Sequence, residues 1–163
     1  MKKPLLIVLA AAALGLTLAA CGTQQRQSAS MTGVQLANPF VDYATPDEAA
    51  AAAGFGLSAP EQIDGYDAPV VQLMNGEMLQ LIFRSGDDRL ILRKAKGSAD
   101  ISGDYAARAE TRTARINGAD VSLRGEGGKV STAVWCANGF SYALLSDVPL
   151  ATDVATDLIV EIS

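Results

Sequence analysis

The sequence predicts an α+β fold: an antiparallel meander sheet of about six to seven strands, packed by an N-terminal and a C-terminal helix. Three Asn-Gly pairs, at 75–76, 117–118 and 138–139, each separate two apolar segments. Asn-Gly in that setting is typical of a two-residue hairpin, because the turn requires positive φ at both positions. Helix signals lie near the two ends of the region 38–163, so both helices are expected to cover one face of the sheet.

The strands follow from these turns. A fourth turn, Ser85-Gly86-Asp87-Asp88, adds one more strand at 89–95. The two-residue loop at 117–118 places Ile116 opposite Ala119, which gives the hairpin one apolar and one polar face. The hairpin at 138–139 is apolar on both faces, which predicts a central position with Trp135 opposite Tyr142. The predicted hairpin strands are 70–74 with 77–84, 111–116 with 119–124, and 129–137 with 140–146.

Both helices have recognisable patterns. Thr45, followed by Pro46 and by Glu48 three residues after the cap, forms a capping box, and Gly54 is placed to end the helix. The second helix is predicted over 149–162. Its apolar residues recur every four positions, which predicts a buried stripe of Leu150, Val154, Leu158 and Ile162.

The N-terminus has the layout of an export signal. Lys2 and Lys3 precede a 14-residue apolar run at 5–18, which is short against the roughly 20 residues that span a bilayer. Residues 1–20 are therefore predicted to be a signal peptide. The following Leu18-Ala19-Ala20-Cys21 resembles the lipobox of bacterial lipoproteins. That resemblance implies cleavage before Cys21 and lipidation of its thiol, with palmitate-type acyl chains as the membrane anchor.

Residues 21–37 are the lipidated cysteine and a polar segment rich in Gln, Ser, Thr and Gly, which predicts a flexible tether. The expected location is the extracytoplasmic side of the cell membrane. An outer-membrane location stays open for a Gram-negative source, and the plasma membrane for a Gram-positive one. Residues 38–163 are predicted to form a single domain of the cell envelope.

Composition narrows the function. Removal of Lys2 and Lys3 with the signal peptide changes the net charge from −5 to −7, which argues against a nucleic-acid partner. The chain contains no histidine, which excludes His-based nucleophile activation and the commonest zinc ligand. We expect no enzyme activity, no cofactor and no metal. With Cys21 lipidated no intramolecular disulfide is possible, and Cys136 is predicted to be a buried, inert thiol.

From Asn38 onward the chain resembles a cell-envelope domain of unknown function found in lipoproteins of clostridial and gut actinobacterial type. The resemblance covers nearly the whole mature domain and implies a fold of one sheet with helices, without an assigned activity. The residues that carry it are Asn38-Pro39-Phe40, the segment 45–55, Arg93-Lys94-Ala95 with Gly97-Ser98, the block 100–105, Gly127-Gly128-Lys129-Val130, and Trp135 with 139–142.

Two groups of residues are candidates for a ligand or partner surface. Trp135, Phe140 and Tyr142 could line an apolar groove, or could be core. Asp100, Ser102, Asp104 and Tyr105 belong to the long connection 96–110. Their alternating oxygens suggest calcium, but the bidentate carboxylate of a calcium loop is missing, and a turn in which Asp and Ser accept backbone N–H groups is the alternative.

A third group is basic and contains Arg84, Arg89, Arg93, Lys94 and Lys96. It predicts either contact with anionic headgroups or a solvated strand face. Taken together, the sequence favours a membrane-anchored, non-catalytic binding or sensing domain that recognises an envelope protein or a small apolar ligand. The alternative is a lipid or lipoprotein carrier, which requires an apolar cavity between sheet and helices.

Overall fold

A computed structural model of the chain describes residues 38–162 as one open, eight-stranded antiparallel sheet with two helices, an α+β architecture. The predicted signal peptide, Cys21 and the tether lie outside the described residues. The elements are β1 (Phe40–Tyr43), α1 (Pro46–Ala53), β2 (Val70–Met74), β3 (Met78–Ser85), β4 (Asp88–Lys96), β5 (Glu110–Ile116), β6 (Ala119–Glu126), β7 (Lys129–Ala137), β8 (Phe140–Leu150) and α2 (Thr152–Glu161).

The sheet consists of two four-stranded meanders joined at its centre. The strand order is β1-β2-β3-β4-β8-β7-β6-β5, so β8 inserts beside β4 and β5 becomes the far edge. The connection 97–109 must therefore cross the sheet from β4 to that edge. The prediction of one continuous meander with six to seven strands is wrong on both counts. The pairing of β4 with β8 is long-range, and β1 is only four residues long, so neither has a local signal.

The three Asn-Gly turns are confirmed. Asn75, Asn117 and Asn138 have φ of 52°, 46° and 53°, and each following glycine is also at positive φ. The predicted pairings Ile116 with Ala119 and Trp135 with Tyr142 are present, and the β7–β8 hairpin is central as expected. The register places all three turns at the same end of the sheet, which we call the turn end.

Helix α1 begins and ends where its sequence predicts. The Thr45 side-chain oxygen accepts the N–H of Glu48 at 3.2 Å, Pro46 is the first helical residue, and Gly54 ends the helix with φ of 72°. Ala49 and Ala53 form the buried side, which packs over β1, β2 and β3. Two small residues on this side let the short helix lie close to the sheet.

Helix α2 differs from its prediction. Pro149 and Leu150 complete β8, so the helix begins at Thr152. Its buried stripe is Ala155, Ile159 and Ile162, whereas Val154 is 47% exposed and Leu150 and Leu158 are half-buried. The sequence offers two stripes at helical spacing. The stripe that faces the sheet contains Ala155, whose small side chain lets the helix lie close to the sheet.

The two faces of the sheet are covered differently. The helix face, covered by α1 and α2, contains the hydrophobic core, including Phe83, Leu90, Leu92 and Leu144, which are fully buried. The loop face is crossed by the connection 97–109, whose backbone accepts hydrogen bonds from Arg93 in β4 and Arg124 in β6. Within residues 38–162, neither helix is long and apolar enough to span a bilayer.

Candidate functional site

The predicted site residues divide between the two faces and do not form one surface. Phe140 and Tyr142 share the helix face with Trp135, because strand residues two apart point to the same side and Trp135 pairs with Tyr142. Asp100, Ser102, Asp104 and Tyr105 belong to the connection over the loop face. Sequence order alone does not distinguish these faces, because the crossing of the connection depends on the strand order.

On the loop face, Asp100, Ser102 and Asp104 adopt the turn that was the alternative to a calcium site. The Asp100 carboxylate accepts the N–H and the hydroxyl of Ser102 at 2.9 and 2.6 Å, and Gly103 has φ of 66°. The Asp104 carboxylate likewise accepts the N–H of Ala106 at 3.1 Å. These side chains stabilise the backbone of the connection.

Both carboxylates also bind side chains of the sheet. Asp104 accepts hydrogen bonds from the hydroxyl of Thr132 at 2.6 Å and from Arg108 at 2.8 Å. The Thr132 bond, together with Arg108, holds the pKa of Asp104 below its ordinary value. Asp100 accepts from Arg124 at 2.6 Å. Its partial burial alone would raise its pKa, but the hydrogen bonds from Ser102 and Arg124 outweigh burial and lower it.

A chain of hydrogen bonds continues across the same face to the other edge of the sheet. Arg93 donates to the backbone oxygens of Ile101 and Ser102 at 3.1 and 2.6 Å, and to the side-chain oxygen of Gln80 at 3.0 Å. Gln80 donates to Gln72 at 2.6 Å, and Gln72 donates to Asp42 at 2.7 Å. Every long polar side chain in this row has a partner, so the row fastens the connection to the sheet.

The loop face therefore has the character of a structural network. Among residues 38–162, no three His, Cys, Asp or Glu side chains come together in a geometry that could hold a metal ion. Tyr105 is 94% exposed at the outside of the connection. The carboxylate oxygens that suggested calcium are used by arginine, threonine and backbone N–H groups.

The basic cluster is divided by strand alternation. Arg84, Arg89 and Arg93 lie on the loop face, whereas Lys94 and Lys96 lie on the helix face. Arg89 pairs with Asp147 at 2.9 Å, and the hydrogen bond and charge of Arg89 lower the pKa of that carboxyl. Neither a single headgroup-binding patch nor a uniformly solvated strand face describes these five residues.

Among the five residues of the basic cluster, Lys94 has the most unusual surroundings. Only 8% of its surface is exposed, and its ammonium lies 4.6 Å from the ring centre of Phe140 and 5.2 Å from that of Tyr142. Within the described residues, Lys94 has no carboxylate within 4 Å and no hydrogen-bond acceptor. Burial lowers its pKa.

The Lys94 ammonium still reaches solvent. Among residues 38–162, no fully buried side-chain nitrogen or oxygen lacks a hydrogen-bond partner, so the partnerless ammonium of Lys94 is not fully enclosed. Its aliphatic stem is buried beside Leu92 and Tyr142 while its charged end emerges, which is the usual behaviour of an amphipathic lysine. An anion could approach this end.

Aromatic rings surround this lysine. Phe55, just after α1, packs on Phe140 with ring centres 5.3 Å apart, and the ammonium of Lys96 lies 5.5 Å from the Phe55 ring centre. Trp135 stacks on Tyr142 at 5.3 Å with an angle of 7° between the rings. We call Phe55, Lys94, Lys96, Phe140 and Tyr142 the lysine–aromatic cluster.

The three aromatic residues predicted to line a groove, Trp135, Phe140 and Tyr142, thus have different roles. Trp135 and Tyr142 are nearly fully buried and belong to the core, whereas Phe140 and Phe55 are half-buried at its margin. Phe55 was not predicted to be part of a site. Lys94 was predicted as part of the basic cluster and not of an aromatic site, although its alternation with buried Leu90 and Leu92 in one strand indicates that it points toward the core side.

The cavity beside Trp135 and Tyr142 is small. It measures about 90 Å³ and lies between the sheet and the buried residues Ile159 and Ile162 at the end of α2. At about 30 Å³ for each water molecule, it has room for a few waters and not for an acyl chain. A carrier that holds lipid against Trp135, Phe140 and Tyr142 would need a larger space.

Three larger open grooves lie outside this cavity. One, of about 520 Å³, lies at the turn end beside the β2–β3 hairpin, where Met74, Met78, Ala95 and Ile101 line it. A second, of about 460 Å³, lies between the segment 57–69 and the sheet near Val71 and Leu81. The third, of about 490 Å³, lies on the loop face beside Val134, Trp135 and Cys136. None of the three is lined by the rings of the lysine–aromatic cluster, although Lys96 lines the groove beside the β2–β3 hairpin.

Cys136 is exposed, so its prediction as a core thiol is wrong. It follows buried Trp135 in β7 and points to the loop face, at a position outside the hydrogen bonds of the crossing connection. Its sulfur lies 3.7 Å from the hydroxyl of Ser141. An apolar sequence on both sides of Cys136 indicated burial on both faces, but the loop face is open here.

Charge differs between the two ends of the sheet. The end opposite the turn end, which we call the acidic end, has carboxylates at the start of each helix, in the β3–β4 turn and beside the β6–β7 turn. The turn end has Lys96, the emerging ammonium of Lys94, the ion pair of Arg115 with Asp120, and Glu77. The acidic end also has Arg84, Arg89 and Lys129, but its carboxylates outnumber these cations. The acidic residues at this end are Asp47, Glu48, Asp87, Asp88, Glu126, Asp147 and Asp153, of which only Asp147 is paired in an ion pair within the described residues.

Comparisons of the chain with models of protein families, with curated proteins and with solved structures find no match. The resemblance to a cell-envelope lipoprotein domain therefore stays a prediction.

Proposed function

We propose that the protein is a bacterial cell-envelope lipoprotein, anchored through Cys21, whose domain is a non-catalytic binding or sensing module. Its contact surface is the lysine–aromatic cluster. The observation that carries the proposal is Lys94, a cation with 8% exposure, no carboxylate partner within the described residues and aromatic rings on its flanks.

The Lys94 stem is buried and its ammonium is partly desolvated, which is unfavourable for folding because no opposite charge offsets it. On the loop face, the neighbouring Arg93 donates three hydrogen bonds through its Nε and Nη1 atoms. A lysine whose charge has only aromatic neighbours, and whose pKa is lowered by burial, is typical of a functional position. An anionic ligand would supply the missing charge, and the rings would contact its apolar part.

The anchor supports the same proposal. Residues 21–37 span at most about 60 Å when fully extended, so the domain remains within reach of the membrane surface. Tethering raises the effective concentration of any membrane-associated partner, which allows a small contact surface to suffice.

The anchoring part is tested by Cys21→Ser in the native host, with Cys136→Ser as the matched control. We expect loss of acyl labelling and release from the membrane fraction for Cys21→Ser, and neither effect for Cys136→Ser. A Cys21→Ser protein that is still acylated and membrane-bound would contradict the lipoprotein assignment.

The binding part is tested with a photo-crosslinking residue at Phe140, compared with one at the exposed Val148 on the acidic half of β8. We expect a defined adduct in intact membranes from position 140, reduced by Lys94→Met. Equal adducts from both positions, or none from position 140, would contradict a contact surface at the cluster.

A further inference from the structure

We propose that the lysine–aromatic cluster binds the phosphate of anionic phospholipid headgroups, so that the turn end of the domain lies against the membrane that carries its anchor. This inference rests on the proposed function and names the partner of the same surface. Three independent features of the molecule lead to it.

The first feature is where the chain enters the domain. Phe40, the first residue of β1, pairs with Met74 beside the Asn75-Gly76 turn, and the N–H of Asn75 donates to the backbone oxygen of Pro39 at 3.4 Å. The residues that connect the domain to Cys21 therefore join it at the turn end. The cluster lies at this end as well, because Phe140 begins β8 directly after the Asn138-Gly139 turn.

The second feature is the distribution of charge along the strands. The acidic end has more carboxylates than cations, with Arg84, Arg89 and Lys129 among the latter, so an anionic membrane surface would repel it. The lysines at the turn end would be attracted to that surface. Glu77 and Asp120 are also at the turn end, and Asp120 is paired with Arg115 at 2.8 Å. The three hairpin turns at this end consist of uncharged Asn-Gly pairs. A protein with net negative charge can therefore approach an anionic surface in one orientation.

The third feature is the chemistry of the cluster. Lys94 and Lys96 lie two residues apart on one side of β4, roughly 6–7 Å along the strand. Their ammonium groups can therefore contact one phosphate or two neighbouring ones. Phe55 and Phe140 are half-buried beside them, and aromatic rings with adjacent lysines are the side chains that favour the boundary between headgroups and acyl chains.

The test uses the acylated protein, purified and reconstituted in vesicles of phosphatidylcholine alone or with phosphatidylglycerol. Hydrogen exchange is measured at the turn-end hairpins, 74–78 and 137–141, and at the acidic-end turns, 85–88 and 126–129. Lys94→Met and Lys96→Met are compared with Lys129→Met, which removes an exposed lysine next to the acidic-end turn. Inorganic phosphate is added as a separate arm.

We expect phosphatidylglycerol to slow exchange at the turn end alone. Each cluster lysine should raise the ratio of docked to undocked protein by a factor of about five. Lys94→Met and Lys96→Met should therefore each lower this ratio about fivefold, whereas Lys129→Met should leave it unchanged. Equal exchange in both vesicle types, or equal loss in Lys129→Met, would overturn the proposal. If free phosphate slows exchange at the turn end equally without phosphatidylglycerol, the cluster binds soluble phosphate and the proposal that it binds lipid headgroups is overturned. If the protein is not acylated, it fails to enter the vesicles at all, which separates failure of the anchor from failure of docking.

Discussion

Arg93 and Lys94 are neighbours in β4 with opposite environments. Arg93 points to the loop face and donates hydrogen bonds to Gln80 and to the backbone of the crossing connection. Lys94 points to the helix face, where it has aromatic neighbours and, within the described residues, no acceptor. The loop face uses its cations to hold the chain in place, and the helix face leaves one cation available. From this difference we infer that the loop face has a structural role and that the helix face, at Lys94, has a binding role.

The largest effect is expected for Arg93→Met. It removes three hydrogen bonds from a charged donor and leaves the oxygens of Ile101 and Ser102 without their partner, so the free energy of unfolding should fall by about 2–3 kcal/mol. Urea unfolding measures it. Arg115→Met, which breaks an exposed ion pair with Asp120, should cost less than about 1 kcal/mol. Equal losses of unfolding free energy in both variants would contradict the structural role of Arg93.

A smaller effect is expected for Thr132→Val, which keeps the shape of a fully buried side chain and deletes its hydrogen bond to Asp104. The loss should be about 1–2 kcal/mol at neutral pH. The pKa of Asp104 is lowered from 3.8, so its contribution is present above about pH 4 and disappears as the carboxylate is protonated at lower pH. The difference between variant and wild type should therefore shrink below pH 4, and a pH-independent difference would contradict this assignment.

Lys94→Met should change stability by less than about 1 kcal/mol at neutral pH, toward higher stability, because it removes a partly desolvated charge. Burial lowers the pKa of Lys94 below 10.5. Wild-type stability should therefore rise as the pH passes through that lowered value, and the advantage of the variant should vanish by about pH 10.5. Urea unfolding between pH 7 and 10.5 measures this. A loss larger than that of Arg93→Met would reverse the comparison between the two residues.

The smallest effect is expected for Tyr105→Ser. Tyr105 is 94% exposed, so stability should stay within about 0.5 kcal/mol of wild type, and docking to phosphatidylglycerol vesicles should be unchanged. Thermal unfolding and the exchange experiment check both. A loss of docking would move the contact surface to the loop face.

The parts of the fold that were predicted correctly depend on neighbouring residues. The hairpin turns follow from the positive φ of Asn-Gly pairs, and the start of α1 follows from Thr45 and Glu48, because each is decided within a few residues. The position of β8 beside β4 joins residues about fifty positions apart. No local pattern specifies that contact, and the crossing of the connection over the loop face depends on it.

The site was predicted only in part for the same reason. Phe140 was identified from its hairpin, but Phe55 reaches it from the end of α1, and nothing near Phe55 in the sequence indicates that contact. Cys136 was assigned to the core from its apolar neighbours, although burial in a sheet depends on which face is covered at that point. Lys94 had a usable signal, since it alternates with Leu90 and Leu92 in a strand of the predicted sheet.

The most direct measurement is lysine footprinting of the protein in its own membranes. Apart from Lys2 and Lys3, the lysines of the chain are Lys94, Lys96 and Lys129, two at the turn end and one at the acidic end. With an amine-reactive ester and mass spectrometry, we expect that Lys129 is modified in membranes, that exposed Lys96 is protected, and that detergent removes the protection. Modification of Lys96 as fast as Lys129 in intact membranes would contradict docking through the lysine–aromatic cluster.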